Sequence, residues 1–283
     1  MTYKILFFGT PDIATASLEA LHQISDIEIV GVGVFPDRKI GRKQILTPCP
    51  VKKSAQKLHL PIFELANKKD LENLYLNTKF DLGVVIAFGM IFPASILQEG
   101  KFVNVHFSLL PQYRGASPVQ SAILNGDKTS GITWQRMVAQ LDAGPILFQK
   151  KLSLQNEIQK QKFSTSQTFT FFAQETAKIF PHFIHNYFSG KLHEKLQNES
   201  QATFCGKFQK TDGQIHPQTE TAEQMFRKYL AFDLWPGIYL LTEKGALKIK
   251  KASLNPTEGC AEITAQDQSK FYIINAQLPG KKP

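Results

Sequence analysis

Short apolar segments alternate with helix-forming segments through the first two thirds of the chain, and this alternation constrains the fold more than any other feature. Strands are predicted at residues 4–8, 28–35, 61–63, 81–87, 103–107, 132–137 and 146–151. Helices are predicted at residues 14–23, 54–58, 119–124 and 168–188. This order predicts an α/β fold, with a Rossmann-like, mostly parallel sheet and helices on both faces.

The pattern changes after residue 188. Residues 189–203 are polar and are predicted to form a linker. A predicted helix at 221–230 is followed by short predicted strands at residues 237–242, 247–253, 261–265 and 271–275. We therefore predict a first domain at residues 1–188 and a small β-barrel-like (OB-like) domain at residues 204–283.

Cysteine usage and hydropathy bear on the compartment. Cys49, Cys205 and Cys260 are far apart and lack the spacing of metal ligands, so we expect reduced thiols and no bound metal. The longest apolar run, residues 82–92, is too short for a membrane span, and the first residues show no signal-peptide pattern. We expect a cytoplasmic protein without a membrane partner, and nothing in the sequence suggests an obligate oligomer, so we expect a monomer.

Positive charge is concentrated in one segment. The net charge is +9, and residues 36–57 carry seven Lys and Arg residues against one acid, Asp37. Such a segment is either a solvated face or a contact for a polyanion. Pro36, Pro48, Pro50 and Gly41 favour an exposed loop over a helix, which would suit contact with RNA.

Asn104, His106 and Asp142 form the strongest chemical motif. Asn104 and His106 lie at the end of a predicted strand, and we expect Asp142 to meet them at the carboxyl edge of a parallel sheet. An amide can hold a developing oxyanion, an imidazole can move a proton, and a carboxylate can orient the imidazole. These groups suit acyl transfer to an amine without a metal.

Several motifs together resemble those of methionyl-tRNA formyltransferases, and the resemblance covers nearly the whole chain. The motifs occur in the family's order: Gly9-Thr10-Pro11-Asp12, Pro36-Asp37-Arg38, Gly41-Arg42, Pro48-Cys49-Pro50-Val51-Lys52, Asn104-Val105-His106, Ser108-Leu109-Leu110-Pro111, Arg114-Gly115, Pro118, Leu141-Asp142-Ala143-Gly144, Trp235-Pro236-Gly237 and Pro279-Gly280-Lys281-Lys282. The Ser-Leu-Leu-Pro and Asp-Ala-Gly motifs are shared by all formyltransferases that use 10-formyltetrahydrofolate. The Pro-Asp-Arg, Trp-Pro-Gly and Gly-Lys-Lys motifs are more specific to enzymes that act on initiator tRNA.

The resemblance implies a formyl transfer for translation initiation. The α-amine of methionyl initiator tRNA would attack the formyl carbon of 10-formyltetrahydrofolate, with Asn104 and His106 on the oxyanion and Asp142 orienting His106. The implied folate-binding residues are Ser108, Leu109, Leu110 and Pro111, and the implied tRNA-binding residues are Arg38, Arg42, Lys43, Lys207 and Lys210. The residues after Thr203 carry 11 Lys and Arg against 8 Asp and Glu, and the family assigns this domain a role on the tRNA backbone.

The chain departs from the family's pattern at several positions. Phe107 stands where a small residue is usual, and its ring would either narrow the folate pocket or pack below it. Gln140 replaces a common glycine before Leu141-Asp142. The second domain is expected to be shortened. We therefore expect it to bind tRNA more weakly, or through a binding surface of a different shape.

Two other functions remain open at this point. A formyltransferase acting on a nucleotide sugar or on glycinamide ribonucleotide would share Asn104, His106 and Asp142, but has no evident use for the basic segment. A non-catalytic RNA-binding protein on the same scaffold would bind initiator tRNA without transferring formyl.

Overall fold

The computed structural model describes residues 2–41, 43–155 and 162–278. Their contacts divide the chain into two compact units, one built from residues 1–114, 131–151 and 170–203, and the other from residues 115–130, 152–169 and 204–283. Arg42 and the Pro279-Gly280-Lys281-Lys282 motif lie outside the described residues. Within the described ranges no helix is long and apolar enough to cross a membrane.

The elements up to residue 188 alternate as expected. They are β1 (Tyr3–Gly9), α1 (Thr15–His22), β2 (Ile27–Val34), β3 (Arg38–Ile40), β4 (Ile45–Thr47), α2 (Pro50–Lys57), β5 (Ile62–Glu64), α3 (Lys68–Asn77), β6 (Leu82–Ile86), α4 (Ala94–Leu97), β7 (Phe102–His106), β8 (Arg114–Gly115), α5 (Pro118–Asn125), β9 (Thr129–Arg136), β10 (Ile146–Ser153) and α6 (Thr165–Phe188). Helix α3 was not predicted, although Asn67 and Asp70 form a capping box at its start.

A seven-stranded sheet with the order β10-β9-β7-β6-β1-β2-β5 forms the centre of the first unit. Pairings β1–β2, β1–β6, β2–β5 and β6–β7 are parallel, which confirms the Rossmann-like, mostly parallel sheet. Strand β9 instead runs antiparallel to β7, with Asn104 opposite Gln135. The expectation that Asp142 follows a parallel strand is therefore wrong, because β9 ends beside the start of β7 and its following loop must return along the sheet.

Aromatic side chains fill the core of the first unit. Phe8 on β1 packs edge-on against Phe92 with ring centroids 5.3 Å apart, and Phe102 of β7 lies 5.2 Å from Phe92. On α6, Phe180 and Phe183 pack against Trp134 of β9 at 4.5 and 4.1 Å. Burial of such rings contributes much of the hydrophobic stabilisation of this unit.

The segment predicted as a basic loop contains a hairpin, because β3 pairs antiparallel with β4. Its base is held by Lys52 of α2, whose ammonium donates to Asp37 at 2.6 Å and to Glu64 of β5. These hydrogen bonds, to Asp37 first and then to Glu64, raise the pKa of Lys52 above its usual value of 10.5. Lys52 therefore anchors the hairpin, although the sequence placed it only among the basic residues.

The second unit has a different architecture. Its elements after residue 203 are β11 (Phe204–Cys205), α7 (Ala222–Ala231), β12 (Ile238–Thr242), β13 (Gly245–Ser253), β14 (Ala261–Thr264) and β15 (Lys270–Gln277). Strands β12 to β15 form an antiparallel sheet with the order β12-β13-β15-β14. Along β13, exposed Lys248 and Lys250 alternate with buried Ile249, as in a sheet with one solvated face. The predicted β-barrel-like domain is confirmed as a curled antiparallel half-barrel.

Candidate active site

Strand β7 presents Asn104 and His106 on the same face of the sheet, because side chains two residues apart in a strand point the same way. Val103 and Val105 alternate with them and are buried at 0% and 4% exposure. The strand lies between β6 and β9, so neighbours on both sides hold its backbone. The amide and the imidazole are therefore carried by a rigid element.

Asp142 reaches these residues from the loop between β9 and β10. Its carboxylate is 8% exposed, and its Oδ2 lies 3.6 Å from Nδ1 of His106. Its Oδ1 accepts hydrogen bonds from Nε2 of Gln135 at 2.8 Å and from Nδ2 of Asn104 at 3.3 Å. The structure thus brings together Asn104, His106 and Asp142, although β7 and the strand that precedes Asp142, β9, run in opposite directions.

The loop that carries Asp142 has an unusual backbone. Asp142 itself has a φ of 51°, in the left-handed region that costs a non-glycine residue about 1–3 kcal/mol. A Cβ on Gly144 would lie 1.8 Å from the carbonyl oxygen of Arg136, so this position requires glycine. The Leu-Asp-Ala-Gly motif is therefore needed for the shape of the loop as well as for the carboxylate.

His106 is held at both ring nitrogens. Its Nε2 lies 2.8 Å from the carbonyl oxygen of Tyr113, while Nδ1 faces Asp142. A carbonyl oxygen only accepts, so Nε2 carries a hydrogen and donates it to Tyr113. The ring is 6% exposed and has a defined orientation, which a proton-transfer group needs.

A second layer of hydrogen bonds lies behind Asp142, and no motif of the sequence indicated it. Nε2 of Gln197 donates to the carbonyl oxygens of Asp142 at 2.8 Å and Gly144 at 2.7 Å. Arg114, only 1% exposed, donates from Nε and Nη2 to Oε1 of Gln197 at 3.0 and 2.9 Å. Arg114 also binds both carboxylate oxygens of Glu199, at 2.8 and 2.7 Å.

The Arg114 guanidinium holds the pKa of Glu199 below its usual value of 4.5, chiefly by donating hydrogen bonds to the carboxylate. Gln197 and Glu199 fall in the segment interpreted as a linker, far in sequence from Asp142. No spacing rule connects them, and the polar composition of the segment was the only available signal.

The four proposed folate-binding residues form a bend directly after β7. Ser108 is fully buried and its hydroxyl donates to the carbonyl oxygen of Gln112 at 2.6 Å. Leu110 is 3% exposed, and its carbonyl oxygen accepts from Gln149 at 3.0 Å. Leu109 and Pro111 are half-buried, so they offer more surface to a ligand than the other two.

The proposed tRNA-binding residues are dispersed. Arg38 is exposed on β3, with its guanidinium 5.4 Å from the centre of the Phe35 ring, and Lys43 is exposed in the turn before β4. Lys207 and Lys210 are exposed in the second unit. The apolar residues Ile40, Ile45 and Leu46, at 57%, 60% and 62% exposure, share the hairpin with the basic ones.

Phe107 and Gln140 do not disturb the arrangement. The Phe107 ring is 6% exposed and packs edge-on against Phe172 of α6 at 5.7 Å, so it lies in the core. Gln140 is exposed, and its carbonyl oxygen accepts from the amide of Ala143 in a turn. Within the described parts of the chain, no three His, Cys, Asp or Glu residues cluster as metal ligands would.

The family model described as "Formyl transferase" matches residues 3–175, and that described as "Formyl transferase, C-terminal domain" matches residues 207–281. A methionyl-tRNA formyltransferase of Campylobacter jejuni subsp. doylei is 42% identical over 280 residues, which cover 97% of this chain and 88% of the relative. A methionyl-tRNA formyltransferase of Sulfurovum sp. is 34% identical over 96% of this chain and 88% of its own length.

Solved structures show the same fold. The N-formyltransferase of Helicobacter canadensis, in complex with folinic acid and dTDP-3-aminofucose, superposes with a TM-score of 0.72 at 19% identity, covering 96% of this chain and 99% of the other. At that identity the likeness concerns the fold alone. The sequence relatives and the two family matches go further: the chain belongs to the methionyl-tRNA formyltransferase family.

Proposed function

We propose that this protein transfers the formyl group of 10-formyltetrahydrofolate to the α-amine of methionyl initiator tRNA. The observation that carries the proposal is the meeting of Asn104, His106 and Asp142 in a chain of this family, with the carboxylate 3.6 Å from the imidazole and 3.3 Å from the amide. The folate serves as the formyl donor and is consumed as a substrate.

The reaction forms one carbon–nitrogen bond and breaks another. The amine nitrogen attacks the formyl carbon, and the carbonyl oxygen becomes an oxyanion. The intermediate then collapses as the bond between the formyl carbon and N10 of the folate breaks. A proton from the amine passes to N10, so the products are formylmethionyl-tRNA and tetrahydrofolate.

Each of the three side chains has one task in this scheme. The Asn104 amide group has two hydrogens, and the one not directed at Asp142 is a donor of the kind that an oxyanion needs. His106 takes the proton of the amine at Nδ1, the nitrogen that faces Asp142, and passes it towards N10, while Nε2 remains bonded to the Tyr113 carbonyl oxygen. Asp142 orients the ring and stabilises it when it is protonated. Holding both reactants on this rigid face supplies much of the remaining rate enhancement.

Substrate binding is divided between the two parts of the chain. The folate lies along residues 108–111, with Leu109 and Pro111 offering side-chain surface and Ser108 and Leu110 fixing the bend. Arg38, Arg42 and Lys43 contact the acceptor end of the tRNA. Lys207 and Lys210 contact its backbone, which positions the tRNA without reading its sequence.

The domain boundaries and the setting complete the proposal. Residues 1–188 form the catalytic domain, residues 189–203 connect the domains, and residues 204–283 form the tRNA-binding domain. We propose a monomer in the cytoplasm, where charged initiator tRNA is used. Cys49, Cys205 and Cys260 form no disulfide within the described part of the chain, as that compartment would leave them.

Formyl transfer from radiolabelled 10-formyltetrahydrofolate tests the proposal. Methionyl initiator tRNA, methionyl elongator tRNA, free methionine and a nucleotide-linked amino sugar are offered in parallel. Label on the initiator species alone is the expected result. Label on the amino sugar, or binding of initiator tRNA with no transfer to any acceptor, would refute it.

A further inference from the structure

We propose that Gln197 is a positioning residue for Asp142, and that the segment around it controls the rate of the chemical step. The inference rests on the proposed function, since it concerns the carboxylate used in that reaction. It assigns a catalytic consequence to a residue that lies 55 positions from Asp142 and outside every motif of the site.

The Gln197 amide makes a complete set of hydrogen bonds. Nε2 has two hydrogens, and three acceptors share them: the carbonyl oxygens of Asp142 and Gly144 at 2.8 and 2.7 Å, and Oε1 of Gln135 at 3.3 Å. Oε1 accepts from two nitrogens of Arg114 at 3.0 and 2.9 Å. The amide orientation is forced, because a guanidinium only donates and a backbone carbonyl only accepts.

The two carbonyl groups that Gln197 binds flank the part of the loop that most needs support. Asp142 has a left-handed φ of 51°, and Gly144 touches the backbone of Arg136 closely. A strained backbone persists only when surrounding contacts over-determine it. Gln197 supplies such contacts to the backbone of the loop, whereas Asn104 and His106 contact the Asp142 side chain.

The support extends to an ion pair at the end of the network. Arg114 is almost completely buried, and its guanidinium donates two hydrogen bonds to the Glu199 carboxylate. Arg114 and Tyr113 are also tied to the same segment through their backbone amides, which donate to Thr203 at 2.8 Å each. Residues 197–203 therefore hold both Asp142 and the Tyr113 carbonyl that orients His106.

The isosteric variant Gln197→Glu tests this arrangement. It keeps an acceptor for Arg114 but replaces the donor Nε2 with a carboxylate oxygen that faces two backbone carbonyl oxygens and Oε1 of Gln135. We expect kcat to fall by about 10- to 100-fold, the range typical of a displaced catalytic group. KM for tRNA and Kd for folate should change by less than about 3-fold, because the hydrogen bonds of Gln197 go to Arg114, Gln135 and the Asp142 loop and not to the proposed substrate-binding residues.

The matched control is Gln201→Glu, which adds the same charge to an exposed side chain of the same segment. Hydrogen–deuterium exchange of peptides covering residues 137–147 gives a readout that needs no substrate. It should rise in Gln197→Glu, remain unchanged in Gln201→Glu, and leave the peptides of β1 and β2 protected. Gln197→Met, which loses the donor without adding charge, should reproduce both effects if the glutamate variant fails to fold.

An unchanged kcat together with unchanged exchange in residues 137–147 would overturn the proposal. So would a general rise in exchange with parallel loss of folate binding, which would assign Gln197 to the stability of the whole unit. If the wild-type protein formylates no tRNA, the proposed function fails. The exchange comparison still decides whether Gln197 holds the Asp142 loop.

Discussion

Replacing Asp142 with asparagine exchanges one carboxylate oxygen for an NH2 group, so a hydrogen-bond acceptor becomes a donor. The new amide has only one acceptable orientation, because Gln135 and Asn104 both donate to the position of Oδ1, at 2.8 and 3.3 Å. The amide oxygen must therefore stay there. The NH2 group must then face Nδ1 of His106, where the wild type has a carboxylate oxygen at 3.6 Å.

The magnitude follows from that distance. When His106 carries the transferred proton, a carboxylate 3.6 Å away stabilises it by about 4–5 kcal/mol at an effective dielectric constant of about 20. Asparagine lacks the negative charge, and its NH2 group repels a hydrogen bound to Nδ1 of His106. We expect the rate of formyl transfer to fall by about 10³-fold, which is within the usual range for acid–base groups.

The assay is single-turnover formyl transfer to methionyl initiator tRNA with enzyme in excess, so that product release does not mask the chemical step. Asp26→Asn is the matched control, since Asp26 is exposed and the variant removes the same charge. Thermal unfolding and folate binding should be close to wild type in both variants. A rate for Asp142→Asn within about 3-fold of wild type, with the folate still bound, would refute the role given to this carboxylate.

Other predictions concern stability and binding. Phe172→Ala should lower the free energy of unfolding by about 3–5 kcal/mol, because Phe172 is fully buried beneath Phe107; calorimetry checks this, and a loss under 1 kcal/mol would contradict it. The wild type should melt at a higher temperature than Lys52→Met, and the difference in melting temperature should stay constant from pH 7 to 9. Because the folded pKa of Lys52 is raised, the difference should shrink only as the pH climbs above 10.5, and a loss already at pH 8 would refute the anchor. Lys43→Ala should raise KM for tRNA, leave folate binding unchanged and reduce the slope of log affinity against log salt by about 1. An unchanged slope would show that Lys43 does not contact the tRNA phosphates.

The fold was largely predictable, for a local reason. Buried parallel strands such as β1 and β6 are continuous apolar runs, and this pattern is visible in any short window of sequence. The hairpin of β3 and β4 was not predicted, because basic and exposed residues such as Arg38 and Ile45 carry no burial pattern. Strand direction is equally invisible locally, so the antiparallel β9 and the return path of the Asp142 loop came only from the structure.

By itself, the sequence determined the family and predicted the chemical groups of the candidate site, because Asn104, His106 and Asp142 lie in contiguous motifs with characteristic neighbours. Tertiary structure alone decided how those groups are oriented. Tyr113 contacts His106 through its backbone carbonyl oxygen. Every residue type has this group, so no pattern of side chains can indicate the contact. Gln197 lies 55 residues after Asp142 in the sequence, and only the folding of the unit brings the two residues together. Residue identity is a local property, whereas hydrogen-bond partners are set by the packing of the whole unit.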